Sequence, residues 1–298
     1  MPFPATPKTA MTATGIEVEV GLRENMVKLT VLYDNTALAP SLLASHGFSC
    51  LVEGEENILF DTGESGPLLF KNMELLGIDP GTISSVVISH EHYDHIGGLW
   101  HFLCSYPWVT VYILPSFSEA TRARIRETGA KCIEVQAPQR LTSSVATTGE
   151  VEGSVREQGL LIEGEEGVLL LCGCCHPGVD AFLERARLWG KRISGFLGGL
   201  HLAFAQEEDI DKTLEVMKAE GVGKVAPAHC TGFFATERIR SLWAEGYVPC
   251  GVGMTLLWGR KGVWSSSSHP RTWRSLWSGK PFTWWKTWGS PLWGLWRT

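Results

Sequence analysis

Six consecutive residues, His90-Glu91-His92-Tyr93-Asp94-His95, include four side chains that bind metal ions. Neutral imidazoles and carboxylates are ligands of Zn²⁺, and a catalytic zinc site leaves one position open for water. Alternate residues point the same way in a loop that leaves a strand, so His90 and His92 can bind one ion. Asp94 and His95 follow one turn later and can face a second ion beside it. The segment therefore predicts a metal site, with zinc as the favoured ion.

Two single histidines each follow an apolar run that is typical of a buried strand. His176 follows the run that begins at Leu169, and His229 follows Val225-Ala226-Pro227-Ala228. Either residue alone would be interpreted as a structural histidine. Loops at strand ends are where sites are assembled, so both are predicted to be ligands together with the first cluster.

The predicted elements must bring these loops together. Each half of the chain contains antiparallel hairpins followed by strand–helix units, which predicts an α/β fold: a four-layer αββα sandwich of two mixed sheets with outer helices. After the cluster, Gly97-Gly98 would let the backbone pass closely under the site. The predicted strands are 27–33, 48–53, 57–60, 84–89, 109–114, 159–163, 168–172, 193–197, 224–226 and 252–257, and the predicted helices are 67–76, 116–128, 179–189, 207–220 and 236–245.

The pattern H-x-H-x-D-H, followed by two distant single histidines, resembles the metallo-β-lactamase superfamily. The resemblance extends over residues 26–257 and includes Leu59-Phe60-Asp61-Thr62-Gly63, which is similar to the family's Asp-x-Gly element at a strand end. It implies the αββα fold and a centre for one or two Zn²⁺ ions or another divalent metal. The implied ligands are His90, His92 and His176 for the first ion and Asp94, His95 and His229 for the second, with Asp61 orienting a ligand through a hydrogen bond.

Several further segments narrow the resemblance to one branch. That branch includes 7,8-dihydropterin-6-methyl-4-(β-D-ribofuranosyl)-aminobenzene-5′-phosphate synthase of the methanopterin pathway, and many of its members are known only as metal-dependent hydrolases. The segments are Leu32-Tyr33-Asp34-Asn35, Ser89–Leu99, Gly173–Gly178, Gly198–Leu202 and His229–Gly232.

One position departs from the family pattern. Superfamily hydrolases usually have a metal-bridging Asp after a strand between the last two histidines, whereas this chain has Gly198-Gly199-Leu200-His201. Three interpretations follow: water alone bridges the ions, His201 is itself a ligand, or His201 binds an anionic group of the substrate. The residue is also interpretable as a histidine at the edge of the core.

Cysteines occur beside two of the predicted ligands. Cys172 and Cys175 have the CxxC spacing of zinc sites, but no second CxxC accompanies them. Packing of small residues under the His176 loop is therefore the favoured interpretation of Cys172, Cys174 and Cys175. Cys230 beside His229 is ambiguous in the same way.

Charge and composition limit the class of protein. The formal net charge is −6, and seven of the 26 basic residues lie in 259–298, where there is no Asp or Glu. The remaining acidic body argues against binding nucleic acid through a basic surface. No apolar stretch of membrane-spanning length and no secretory signal pattern are present. A cytoplasmic protein with free thiols and a small, anionic substrate is expected.

Three segments are predicted: a flexible leader at 1–25, a catalytic domain at 26–258 and a non-catalytic tail at 259–298. Eight Trp lie within 264–298 without helical or strand periodicity. The tail is interpretable as a membrane-surface or partner-binding segment, and an extension from an altered reading frame is favoured.

A zinc-dependent hydrolase is the favoured function. Metal-bound hydroxide would attack a phosphoester, a lactone or a related ester, with Asp94 orienting the nucleophile and His201 contacting substrate or metal. The alternative is a dihydropterin-methyl transferase that releases diphosphate. A non-catalytic metal-binding protein is the third hypothesis, and the sequence does not indicate the oligomeric state.

Overall fold

Hydrogen-bonded strands form two mixed sheets in the computed structural model, which describes residues 26–259. The leader expected at 1–25, and all of the expected tail beyond Gly259, lie outside the described residues. In chain order the strands are β1 (Val27–Tyr33), β2 (Ser49–Glu53), β3 (Asn57–Phe60), β4 (Ser85–Val87), β5 (Thr110–Ile113), β6 (Lys131–Glu134), β7 (Gln139–Arg140), β8 (Val145–Thr147), β9 (Leu160–Gly164), β10 (Gly167–Cys172), β11 (Ile193–Gly198), β12 (Lys224–Pro227) and β13 (Thr255–Trp258).

Helices connect the strands and cover the outer faces of the sheets. The first turn of the helix after β5 shows how the sequence sets a boundary: the Ser118 hydroxyl accepts a hydrogen bond from the backbone N–H of Thr121, so the helix begins at Glu119 and not at Ser116 as predicted. The helices are α1 (Gly66–Leu75), α2 (Tyr93–Ile96), α3 (Leu99–Ser105), α4 (Glu119–Glu127), α5 (Val179–Leu188), α6 (Glu207–Ala219) and α7 (Phe233–Trp243).

Three apolar layers show how the elements pack. Between the sheets lie side chains such as Val31, Phe60 and Leu171. One outer layer joins the first sheet to α1, α3 and α4, and the other joins the second sheet to α5, α6 and α7. Helices therefore enclose two facing sheets, and the predicted αββα sandwich is confirmed.

Strand order explains where the site forms. The sheets run β13-β1-β2-β3-β4-β5-β6 and β12-β11-β10-β9-β8-β7. Neighbours β3 and β4 are parallel, and so are β10, β11 and β12. The carboxyl ends of parallel strands meet at one edge of a sheet, so the loops that follow these five strands come together. The loops after β3, β4, β10, β11 and β12 carry the predicted site residues.

The closing strand and several short elements differ from the sequence prediction. β13 follows the second half of the chain but pairs antiparallel with β1 of the first sheet, with Leu29 opposite Leu256. The two halves are thus tied together by the end of the described chain. The elements α2, α3, β6, β7 and β8 were not predicted. Within residues 26–259, no helix combines the length and the apolar character needed to cross a membrane.

Candidate metal centre

Three of the predicted ligands form a triangle of imidazole rings. The ring centroids of His90 and His92 are 4.6 Å apart, and His176 lies 4.8 Å from each of them. His90 and His92 come from the loop after β4, whereas His176 comes from the loop after β10, on the opposite sheet. Ligand atoms of His90 and His176 lie within 4.8 Å of each other in one grouping, whereas His92 contacts both rings without belonging to that grouping.

The other three predicted ligands form a second group beside the first. Asp94 Oδ2 lies 3.0 Å from His229 Nε2 and 3.5 Å from His95 Nε2. Asp94 and His95 belong to α2, which begins directly after His92. The ring of His90 lies 4.2 Å from that of His95, so the two groups adjoin. One short segment thus contributes side chains to both groups, and their assignment as ligands stays a prediction.

The hydrogen bonding of the buried histidine nitrogens shows whether these residues fit a metal ion. The Nε2 atoms of His90 and His176 are buried and have no hydrogen-bond partner among residues 26–259. An orphaned buried polar atom is costly, since it has lost its bonds to water. In a group of three histidines this cost is relieved when the nitrogens bind a cation. The residues therefore fit a divalent metal ion.

The protonation of the first group favours metal binding. Burial lowers the pKa of His90 well below its usual value, and the neighbouring histidines lower it further. Burial and the nearby rings of His201 and His92 lower the pKa of His176 to about 3. A metal binds the neutral imidazole. These rings are neutral at physiological pH, so little proton competition opposes binding.

Asp94 carries the negative charge of the second group. Burial acts to raise the pKa of Asp94, but the imidazoles of His229 and His95 outweigh it and hold that pKa well below its usual range. The exposed ring of His46 also approaches, with Nε2 3.3 Å from Asp94 Oδ2. No spacing pattern in the sequence marks His46.

Asp61 orients His95 from the loop after β3. Its Oδ2 lies 2.7 Å from His95 Nδ1 and accepts a hydrogen bond from the Ser89 hydroxyl, while Oδ1 accepts one from the Ser89 backbone N–H. Asp61 is completely buried. Burial lowers the pKa of His95, but the charge and hydrogen bond of Asp61 raise it overall, to about 10. A carboxylate behind a histidine ligand fixes its tautomer and ring orientation, the role predicted for Asp61.

His229 is held by two residues that follow β1. Asp34 Oδ1 accepts a hydrogen bond from the His229 backbone N–H at 2.7 Å, and Asn35 Oδ1 lies 2.9 Å from His229 Nδ1. These contacts direct Nε2 towards Asp94. The sequence indicated the Asp34-Asn35 segment through its resemblance to the family, but not this function.

A buried carboxylate organises the loop that carries His176. Glu157 Oε1 accepts backbone hydrogen bonds from Gly173, Cys174 and Cys175 at 2.9–3.1 Å, and Oε2 accepts one from His176 at 2.8 Å. Burial raises the pKa of Glu157, and these N–H groups oppose that effect. Glu157 lies in a connection without a recognisable motif, so sequence reasoning missed it.

Unusual backbone conformations concentrate in these loops. Positive φ angles, which side chains other than glycine rarely adopt, occur at Asp61 (54°), Cys175 (61°), His201 (55°) and His229 (47°). Such strain persists only where surrounding contacts enforce it, and it clusters at functional sites. The close backbone approach predicted for Gly98 is also present, since an added Cβ would lie 2.3 Å from the Thr62 carbonyl oxygen.

His201 follows the strand end where the family pattern would place a bridging carboxylate, and Cys174 lies near it on the loop after β10. His201, after β11, has its ring centroid 4.3 Å from that of His176. Cys172 and Cys175 pack into the core beneath the loop, as predicted, but Cys174 does not. Its Sγ lies 3.2 Å from His95 Nε2. The packing interpretation is therefore incomplete for Cys174, which faces the ligands.

Comparison with known proteins agrees with this geometry. The family model of the metallo-β-lactamase superfamily matches residues 44–183. The 7,8-dihydropterin-6-methyl-4-(β-D-ribofuranosyl)-aminobenzene-5′-phosphate synthase of Methanocaldococcus jannaschii is 27% identical over 282 residues, covering 77% of this chain and 96% of the synthase.

Two solved structures share the fold. A crystal structure described as a metal-dependent hydrolase of the β-lactamase superfamily has a TM-score of 0.66 and 27% identity, covering 77% of this chain and 98% of that one. The metallo-β-lactamase fold protein YhfI from Bacillus subtilis has a TM-score of 0.59 and 14% identity, covering 78% of this chain and 100% of that one. Family model, relatives and fold agree in their similarity to the metallo-β-lactamase superfamily, whose family model matches 140 of the 298 residues.

Proposed function

We propose that this protein is a zinc-dependent hydrolase that acts on a phosphoester, a lactone or a related ester of a small molecule. The observation that carries the proposal is the pair of adjoining ligand groups between the two sheets. His90, His92 and His176 would hold one ion, and Asp94, His95 and His229 would hold the other.

Bound zinc would supply Lewis-acid chemistry, because it lowers the pKa of coordinated water to about 7 and polarises a phosphoryl or carbonyl oxygen. The chain's own residues orient the ligands. Asp61 holds the His95 ring through its Nδ1 atom, and Asn35 contacts the Nδ1 atom of the His229 ring. Asp94 is the carboxylate best placed to orient a nucleophile, since its Oδ2 lies next to two imidazoles.

His201 would bind an anionic group of the substrate. The Cys230 thiol beside it raises the pKa of His201, so a positive charge on this ring is favoured. The ring is partly exposed and lies next to His176, at the edge of the first ligand group. A cation in this place can bind a phosphate or carboxylate oxygen while the ester faces the metal ions.

A pterin-linked synthase is the second candidate, supported by the sequence identity to the archaeal enzyme over almost its whole length. Exposed aromatic side chains on the segments that carry the ligands also suit a flat heterocycle: Tyr93, Phe204 and Phe233 are 69%, 99% and 65% exposed. The same ions would then stabilise a diphosphate leaving group.

All eight cysteines are free thiols, which supports the expectation of a reducing cytoplasm.

An activity panel tests the proposal. Zinc-loaded protein is assayed with a generic phosphodiester, a lactone panel, and a dihydropterin diphosphate together with an aminobenzene ribofuranosyl phosphate. We expect hydrolysis of the first or second class, lost in His92→Ala and kept in His101→Ala, which alters an exposed histidine of α3. Turnover of the pterin pair alone would exclude the hydrolase in favour of the synthase.

A further inference from the structure

The Cys174 thiol lies at the junction of the two ligand groups. Its sulfur and the ligand atoms of Asp94, His95 and His229 all lie within 4.8 Å of one another, and the same holds for the sulfur with His90 and His176. Within the part of the chain that the structure describes, Cys174 is the residue common to every such grouping. The side chain is buried, with 3% of its surface exposed.

The loop geometry fixes this sulfur in place. Glu157 holds the backbone on both sides of Cys174, and the following residue, Cys175, has a left-handed conformation. Gly199 passes so closely behind the loop that an added Cβ would lie 2.5 Å from the Gly173 carbonyl oxygen. The hydrogen bonds that hold the His176 loop therefore also fix the backbone position of Cys174.

The proposed ligand set contains few anionic donors. Of its six members only Asp94 is a carboxylate, and the other five are imidazoles, so a thiolate would add a second anionic donor at the junction. Buried charges are costly unless opposite charges accompany them. The strand end after β11, where related hydrolases carry a carboxylate, contains Gly198 and Gly199 instead.

The distances suit a metal–thiolate bond. Zinc binds sulfur at about 2.3 Å and nitrogen at about 2.0–2.1 Å, so in tetrahedral geometry the two donor atoms lie about 3.6 Å apart. The separation between Cys174 Sγ and His95 Nε2 is 3.2 Å. A small outward movement of the ring would accommodate the ion.

We propose that Cys174 binds both metal ions through a bridging thiolate, in the place of the bridging carboxylate. The inference rests on the proposed metal-dependent function and adds a ligand to that site. On metal binding the S–H bond breaks, metal–sulfur bonds form, and the proton passes to solvent. No oxidant or reductant is required.

X-ray absorption of the zinc-loaded wild-type protein tests the proposal without mutation. A thiolate that bridges two ions gives each zinc a sulfur neighbour at about 2.3 Å, hence one sulfur per zinc on average. A thiolate bound to one ion gives half a sulfur per zinc, and an unbound thiol gives none. Either lower value, at two zinc ions per chain, would overturn the proposal.

Cobalt substitution identifies the cysteine. Thiolate ligation of Co²⁺ gives a near-ultraviolet charge-transfer band, which we expect to grow through both equivalents of metal. It should be lost in Cys174→Ser and kept in Cys175→Ala and in Cys230→Ser. Cys230 is the critical control, because its sulfur, Cys174 and His201 form a third grouping of potential ligands.

The outcomes separate the two proposals. Two bound Co²⁺ ions without the band, or a band lost in Cys230→Ser and kept in Cys174→Ser, would overturn the bridging thiolate and leave the metal centre intact. A wild-type protein that binds no Co²⁺ would overturn the proposed metal-dependent function itself.

Discussion

Asp61 Oδ2 lies 2.7 Å from His95 Nδ1, with both side chains completely buried. The contact links the loop after β3 to the short helix after β4, and it directs His95 Nε2 towards Asp94 and Cys174. The same carboxylate also accepts two hydrogen bonds from Ser89, the residue before His90. One side chain thus positions residues in both ligand groups.

Replacing Asp61 with Asn should therefore weaken metal binding. Asn tolerates the left-handed conformation of this position. Its amide N–H₂ group cannot accept a hydrogen bond, however, and would face the Ser89 backbone N–H, the Ser89 hydroxyl or the His95 ring, which the carboxylate contacts. We expect affinity for the second metal ion to fall about 10- to 100-fold, measured by competition with a chelating dye. Asp209→Asn, on the exposed face of α6, is the control, and equal affinities in the two variants would contradict the orienting role.

Glu157→Gln should destabilise the fold around His176. The amide cannot accept all four backbone hydrogen bonds, and each buried donor left without a partner costs about 1–3 kcal/mol. We expect a loss of this size in the free energy of unfolding, measured by urea denaturation of metal-free protein. The exposed Glu152→Gln variant should match the wild type. A wild-type stability for Glu157→Gln would show that the loop does not depend on this carboxylate.

The stability of the metal-free protein should depend on pH through His176. Its folded pKa is about 3, below the ordinary value of 6.5, so the unfolded state binds more protons between these values. The contribution of His176 to the free energy of unfolding is fully present above pH 6.5 and is lost as the pH falls towards 3. Urea titrations in chelator at pH 7 and 5 should show a smaller decrease for His176→Gln than for the wild type. An equal decrease would contradict the assigned pKa.

His201→Ala should affect the substrate rather than the metal. Loss of a charged hydrogen bond costs about 1.5–3 kcal/mol, so KM for an anionic phosphodiester should rise about tenfold or more, while the zinc content stays unchanged. Steady-state kinetics and metal analysis on the same preparation measure both quantities, with His101→Ala as the control. A loss of zinc in His201→Ala would identify the residue as a metal ligand instead.

Local patterns in the sequence predicted the sandwich and indicated the six histidine and aspartate residues that the fold places near one another. The spacing of His90 to His95 is short, so its geometry depends on one loop and one helical turn. Glu157 and His46 could not be predicted, because their contacts join segments distant in the chain and no motif surrounds them. Cys174 was interpreted as a packing residue, since only the fold shows that its side chain points away from the core that holds Cys172 and Cys175.

The metal content of the protein, measured as purified and after zinc is added, tests the central claim most directly. After zinc is added, elemental analysis should find two zinc ions per wild-type chain, fewer in His92→Ala and two in His101→Ala. A wild-type protein that contains no divalent metal when purified, and binds none when zinc is added, would contradict the account.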